Sequence, residues 1–220
     1  MADDYPVGAK NKVRQLRDKA RYERETVHAI LDAAPVAHVG FVQDGQPVIV
    51  PMLHGRDGET VFLHGARKSR VVRYLENTET ACLNATLVDG VVYARSAFNS
   101  SMNYRSVTVF GSPRLVDDHA EKLHALRVIS EGIMPGRWAE LRAPLDREIR
   151  MTGVIALPIE SASAKVSSGM PVDEEEDYAA PVWAGVLPLE SRFTTLLPDD
   201  RLADDVGPSE TVRSMQGKVL

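Results

Sequence analysis

Between Glu25 and Ala33 the apolar residues Val27, Ile30 and Leu31 recur at helical spacing, and Pro35 stops the run. The period then shortens to two. Val36–Val42 reads as a strand, Gln43–Gln46 as a turn and Pro47–Pro51 as the returning strand. The segment from His54 to Gly58 is expected to turn again, with a third strand at Thr60–His64. A helix follows at Ser69–Glu76, where Val71, Val72 and Leu75 share one face. Thr80–Val88 and Val91–Ala97 are strands joined at Asp89-Gly90, a hairpin signal. Tyr104–Gly111 and Ser112–Val116 continue the sheet. Asp117–Gly132 is an amphipathic helix with an aspartate N-cap and a stripe of Leu123, Leu126, Ile129 and Ile133. A helix or helical turn is expected at Trp138–Ile149, and the last strands at Gly153–Ser161 and Ala162–Ser167.

Many short strands with few helices argue against alternating βαβ units. The expected fold is mainly β, a six- or seven-stranded antiparallel split barrel with helical insertions. It occupies residues 25–190, between a charged N-terminal arm at 1–24 and a C-terminal tail of low order at 191–220. The arm, with seven Lys and Arg between Lys10 and Arg24, is expected to be solvated or to lie on a partner subunit.

Composition narrows the chemistry. A formal charge of −5 argues against general polyanion binding, so no nucleic-acid partner is expected and any anion site must be a local cluster. One cysteine, Cys82, excludes an internal disulfide and suits a reducing compartment. The N-terminus lacks the shape of a signal peptide, and no apolar run approaches the roughly 20 residues of a membrane span. A cytoplasmic location without membrane contact is the expectation.

Two stretches carry candidate chemistry. In Phe62–Arg70 a strand ends at His64-Gly65, and Arg67, Lys68, Ser69 and Arg70 cluster where a helix begins. Free N–H groups and basic side chains there favour a phosphate. By spacing alone the turn serves equally as an anion site or as a basic corner in water. The second stretch, Ser96–Ser106, crowds polar and aromatic groups into one connection, either as pocket lining or as a loop that satisfies its own backbone. His54 and His64 bracket one hairpin but lack a carboxylate or cysteine at ligand spacing, which is a weak metal signal. No carboxylate pair or nucleophile–base constellation marks a catalytic residue.

Ordered blocks extend these hints. Ala34–Phe41, Pro47–Met52, Val61–Ala66 with Lys68–Arg70, Ser101–Val107 with Gly111, and Ala164–Ser167 through Pro181–Pro188 together resemble a known superfamily. It is the pyridoxamine 5'-phosphate oxidase-like, FMN-binding split-barrel superfamily, in the branch that includes nitroimidazole-resistance proteins. The resemblance implies a homodimer with a flavin in the groove between protomers. It sets Pro51 and Met52 against the flavin ring, His64 and Gly65 near the ring or ribityl chain, and Lys68, Ser69 and Arg70 on the phosphate. Ser101, Asn103, Tyr104 and Arg105 would approach from the neighbouring strand or partner, and Trp183 would cover the ring from the other subunit. The more arginine-rich strand of the vitamin-phosphate oxidases is absent.

The implied function is an oxidoreductase passing electrons from a reduced nicotinamide through the flavin to a small ring compound. Alternatives are a non-catalytic flavin-binding module, or a haem-binding or haem-degrading barrel with His54 or His64 as axial ligand. FMN is favoured over FAD because one basic cluster suits one terminal phosphate.

Overall fold

A computed structural model describes residues 4–220. Among them, ten strands form one open antiparallel sheet: β1 (Ala20–Arg21), β2 (Val36–Gln43), β3 (Gln46–Asp57), β4 (Thr60–Ala66), β5 (Ala81–Tyr93), β6 (Ser101–Gly111), β7 (Arg114–Leu115), β8 (Thr152–Pro158), β9 (Ser161–Ser167) and β10 (Gly185–Pro188). Their order is β1-β9-β6-β5-β2-β3-β4-β8-β7, with β10 paired to β5. The split-barrel class stands, but the count is ten rather than six or seven. Three of the strands, β1, β7 and β10, have only two to four residues, too short for a period-two pattern to register.

The sheet curls around one core. Ala37, Val39, Val61, Leu63, Leu83, Ala85, Val107, Val109, Ile155 and Leu157 all lie within it, closed by Val27, Ile30 and Leu31 of α1 (Arg24–Ala33) and by Val72 and Leu75 of α2 (Arg70–Leu75). A smaller cluster forms on the opposite face, where Ala125 and Ile129 of α3 (His119–Ile133) cover Phe62, Val154 and Ala156. Asp118 caps α3 by accepting from the Glu121 N–H at 2.8 Å, as expected from the aspartate pair. The region expected to be helical at 138–149 forms a 3-10 turn, Arg137–Glu140, and the short helix α4 (Asp146–Met151).

Two predicted turns are strand instead. β3 runs on to Asp57, and the chain reverses at Gly58, whose φ is +53°. At Asp89-Gly90 there is no hairpin. β5 continues to Tyr93, and its pairing with β6 shifts register between Val88 and Gly90, a bulge. The glycine is needed for a different reason: a Cβ there would meet the Leu187 carbonyl oxygen of β10 at 2.9 Å.

The N-terminal arm lies on its own barrel. Tyr5 is 1% exposed, and its hydroxyl meets Glu59 at 2.7 Å and His28 at 3.0 Å. Asn11 is buried and donates to the Pro6 and Ala162 carbonyls. The last part of the arm adds β1 to the sheet edge beside β9. Beyond residue 190, expected to have little order, an antiparallel bridge joins Arg192 to Val219 and α5 (Glu210–Met215) is capped by Ser209. No helix among the described residues is long and apolar enough to cross a membrane.

Strands β6 and β8 approach across the curl at Gly111, where a Cβ would collide with the Pro158 carbonyl oxygen. Gly111→Ala is therefore expected to lower stability by about 2–3 kcal/mol, the scale of an overpacked core. Urea unfolding measures this, and an unchanged midpoint would contradict the close approach.

Candidate functional site

Strand β3 changes partner along its length. Gln46–Leu53 pair with β2 and His54–Asp57 with β4, so one strand joins the two halves of the sheet. Side-chain alternation sends Met52 and His54 inward and Pro51 and Leu53 outward. Pro51, opposite His38, presents its ring to the outside, whereas the Met52 side chain belongs to the core and leaves only main chain for a ligand.

His54 and His64 separate clearly. His54 is 4% exposed and its Nε2 donates to the Leu31 carbonyl at 3.0 Å, tying β3 to the end of α1. That role is structural. His64 is half-buried near the end of β4, and its Nδ1 is buried with no hydrogen-bond partner. Burial holds its imidazole below the ordinary histidine value, so the ring is neutral at pH 7. Among the described residues no group of three or more His, Cys, Asp or Glu is placed to hold a metal ion.

The basic turn follows directly. The Arg67 N–H donates to the Met151 carbonyl at 2.8 Å, which anchors the turn to the start of β8. Across that ladder, Gly153 supplies the close approach: a Cβ there would strike Val72 Cγ1 at 2.6 Å and lie 3.3 Å from Arg67 Cα. At Gly65 itself a Cβ would find ordinary contact at 3.4 Å. Ser69 caps α2 through the Val72 N–H. α2 is only six residues long, so its dipole contributes little and side chains must supply the anion affinity. Arg67 is braced by Glu76 at 2.9 Å, while Lys68 and Arg70 extend into solvent. Lys122, on α3, lies in the electrostatic field of Arg67; its pKa is lowered by burial first and by that arginine second.

The second predicted set lies elsewhere. The loop before β6 satisfies its own backbone, with Ser100 N donating to the Ser96 carbonyl and Ser100 Oγ accepting from Ala94 N. Ser101, Asn103, Tyr104 and Arg105 are on strand β6 rather than in a loop. Asn103 donates to the Gly169 carbonyl at 3.0 Å, and Arg105 makes a bidentate pair with Asp89 at 2.7 and 3.0 Å. Trp183 is 69% exposed and packs on Tyr93 with ring centroids 5.9 Å apart. β6, which carries Ser101, Asn103, Tyr104 and Arg105, stands four strand positions from β4, through β5, β2 and β3. The structure thus brings Pro51, His64 and the basic turn to one side and leaves Trp183 and the β6 residues on another.

Sequence reasoning passed over Lys122, because a lysine beside Leu123 and Leu126 reads as the solvated edge of an amphipathic helix. Its signal exists only in the fold.

Residues 23–166 match the family model for pyridoxamine 5'-phosphate oxidase. Among solved structures, the flavocytochrome Anf3 of Azotobacter vinelandii is 41% identical, with 96% of this chain and 98% of that one covered at a TM-score of 0.90. An FAD- and haem-binding protein of Mycobacterium smegmatis is 39% identical, covering 90% and 98% at 0.87. A 5-nitroimidazole antibiotic resistance protein homologue of Bacteroides thetaiotaomicron, 23% identical over 67% of this chain and 86% of its own, shares the fold at 0.58. No curated protein sequence matched.

Proposed function

Because the chain belongs to the pyridoxamine 5'-phosphate oxidase family, we propose that it binds a flavin nucleotide at the Gly65–Arg70 turn and a haem beside it, as a redox protein. The observation that carries this is the juxtaposition of a solvent-directed basic turn with a half-buried, neutral, unpartnered histidine. Lys68 and Arg70 suit a flavin phosphate through charge-assisted hydrogen bonds. Pro51 and the Met52 main chain border the path a flavin ring would take along β3.

Haem enters through two relatives near 40% identity, one a flavocytochrome and one an FAD- and haem-binding protein. The donor set is compatible with it: a neutral imidazole is an ordinary iron ligand, and the His64 side chain is half-exposed at the end of β4. His54 does not fit, since its buried ring is already bonded to Leu31. The second of these relatives, an FAD-binding protein, favours FAD over the FMN expected from a single phosphate cluster. Bound here, the two groups supply hydride and one-electron chemistry. The electron source is then a reduced nicotinamide and the acceptor a small ring compound.

A homodimer completes the groove. Val36, Val42, Ile49 and Leu53 form an exposed apolar face on β2 and β3, continuous with a cleft of about 460 Å3 lined by Phe41, Ile49 and Phe110. A face of this kind on a single chain marks an interaction surface. Trp183 and the β6 residues, remote from the basic turn within one chain, reach it only from a second copy.

Purified protein is expected to show flavin absorbance together with a Soret band, the latter lost in His64→Ala. A colourless protein that takes up neither group would refute the proposal, and flavin that no nicotinamide reduces would limit it to a binding module. Lys68→Ala and Arg70→Ala should each weaken flavin affinity about tenfold in equilibrium titrations, the scale of a hydrogen bond to a charged group. Arg105→Ala should change it far less, because Arg105 is committed to Asp89. In sedimentation, wild type should run as a dimer and Ile49→Asp as a monomer with weakened flavin binding; a monomeric wild type that binds flavin tightly would contradict the shared groove.

A further inference from the structure

Beyond β10 the chain closes on itself to form a small lobe. Arg192 bridges Val219, the Phe193 N–H donates to the Lys218 carbonyl at 2.9 Å, and the Gly217 N–H donates to the Phe193 carbonyl at 2.9 Å. Contacts with the 3-10 turn Arg137–Glu140 fix the lobe to the rest of the protein. Ser209 donates to the Glu140 carboxylate at 2.8 Å, and Thr211 packs so closely on Gly136 that a Cβ there would meet its Cγ2 at 3.3 Å. Elsewhere Phe193 and Met215 share a narrow cleft of about 260 Å3 with Pro35 and Pro135.

Between the lobe and the end of α3 lies a larger cavity of about 500 Å3. Ile133 and Met134 line it from α3, and Phe193, Leu196, Val212 and Met215 line it from the lobe. Leu197, also in the lining, is 89% exposed, so the cavity opens to water. A void of this size leaves its apolar lining without dispersion partners, and it lies within the roughly 300–1,000 Å3 of small-molecule sites.

Charge and hydrogen-bonding capacity decide what fits. Among the described residues that line the cavity, Arg137 alone is charged. Its guanidinium is already matched by Glu140 at 2.6 Å. Hydrogen bonds from Thr211, Arg137 and Ser209 hold the Glu140 carboxyl down at about 2, so the pair is neutral as a unit at pH 7. A carboxylate ligand would therefore meet Glu140 as well as Arg137. Donors nevertheless remain. Among the described residues nothing bonds the backbone of residues 194–197 or the hydroxyls of Thr194 and Thr195. Arg137 likewise has N–H groups beyond the one given to Glu140.

We propose that this cavity binds an uncharged amphiphile, an aliphatic chain or alkylated ring with a single hydroxyl or carbonyl head. The apolar body fills the space between α3 and α5, and the head accepts a hydrogen bond from Arg137. The site is independent of the flavin and haem reading, which concerns the end of β4. Only the match between Arg137 and Glu140 separates it from a fatty-acid site, since an unmatched arginine would favour a carboxylate head.

The test follows the fluorescence of Nile red, an uncharged dye, and its displacement by decanol, decanoate and decyltrimethylammonium below their micelle concentrations. Decanol should displace the dye about tenfold or more better than either ion, because an ionic head is costly to bury unpaired. Glu140→Gln, which leaves Arg137 unmatched, should bring decanoate to within about twofold of decanol. Val212→Trp, which fills the cavity, should remove the dye signal, and matching thermal midpoints would show that the variants fold. The proposal is overturned by wild type that takes up no dye, by equal displacement with decanol and decanoate, by undiminished uptake in Val212→Trp, or by Glu140→Gln as selective as wild type. Displacement by haem with a Soret band that survives His64→Ala would overturn it too, making this the haem cavity. So would dye uptake that falls as protein concentration rises, which would make the cavity a contact between copies.

Discussion

The hydrogen bonds of β3 join two half-sheets that would otherwise have separate cores. Eight of its residues pair with β2 and the last four with β4, and the change falls between Leu53 and His54. At that point the inward His54 grips the last turn of α1, and the next residue, Gly55, lets α3 lie directly on the strand. Two helices and two strands therefore take their positions from a few consecutive peptides. A one-residue slip of β3 would turn Met52 and His54 outward and bury Pro51, so its register is strongly specified. Through β4, that register also sets where the basic turn stands relative to the outer face of β3.

The resulting surface is asymmetric. On the α3 side, Phe62 and Val154 are covered and dry, but His64, one step further along the same face of β4, passes from under the helix. Its half-burial follows from this edge position, and so does its neutral state. The basic turn comes next, with one arginine tied back to Glu76 and its neighbours extended. Burial thus falls steadily along a few residues of β4. Such a gradient suits a ligand with an apolar body and an anionic end.

Much of this could be followed in the sequence. Period-two and period-3.6 patterns located β2, β4, β9, α1 and α3, because each has one face on a core. The Asp118 cap and the basic turn were visible because they are contiguous. Asp89-Gly90 misled for a physical reason: the same dipeptide that favours a tight turn also suits a bulge, and only the approach of β10 decides between them. The N-terminal arm read as solvated or as lying on a partner subunit because its many charges outnumber Tyr5 and Asn11, its two buried residues. Partnerships across long separations were beyond reach. Arg105 looked available until its pairing with Asp89 was seen, and Lys122 looked peripheral until α3 was laid across β4.

In the proposed dimer, the open sheet leaves each chain with only part of the cofactor site. Ligand pockets ordinarily bury most of their ligand, and a groove on the outside of a curled sheet has one wall. The lobe beyond β5 can supply another. It is not a loose loop: Asp173 receives both the backbone N–H and the guanidinium of Arg95, and that guanidinium lies 4.9 Å from the Tyr178 ring centroid. This clamp holds a projection that exposes Phe98 at 92% together with Trp183. Exposed aromatics on a well-braced support are costly in water and lose little entropy when covered. In the proposed dimer they become the second wall. The outward face of β2 and β3 then carries the contact between copies, while the cations at the end of β4 stay at its margin, where a phosphate can enter from water.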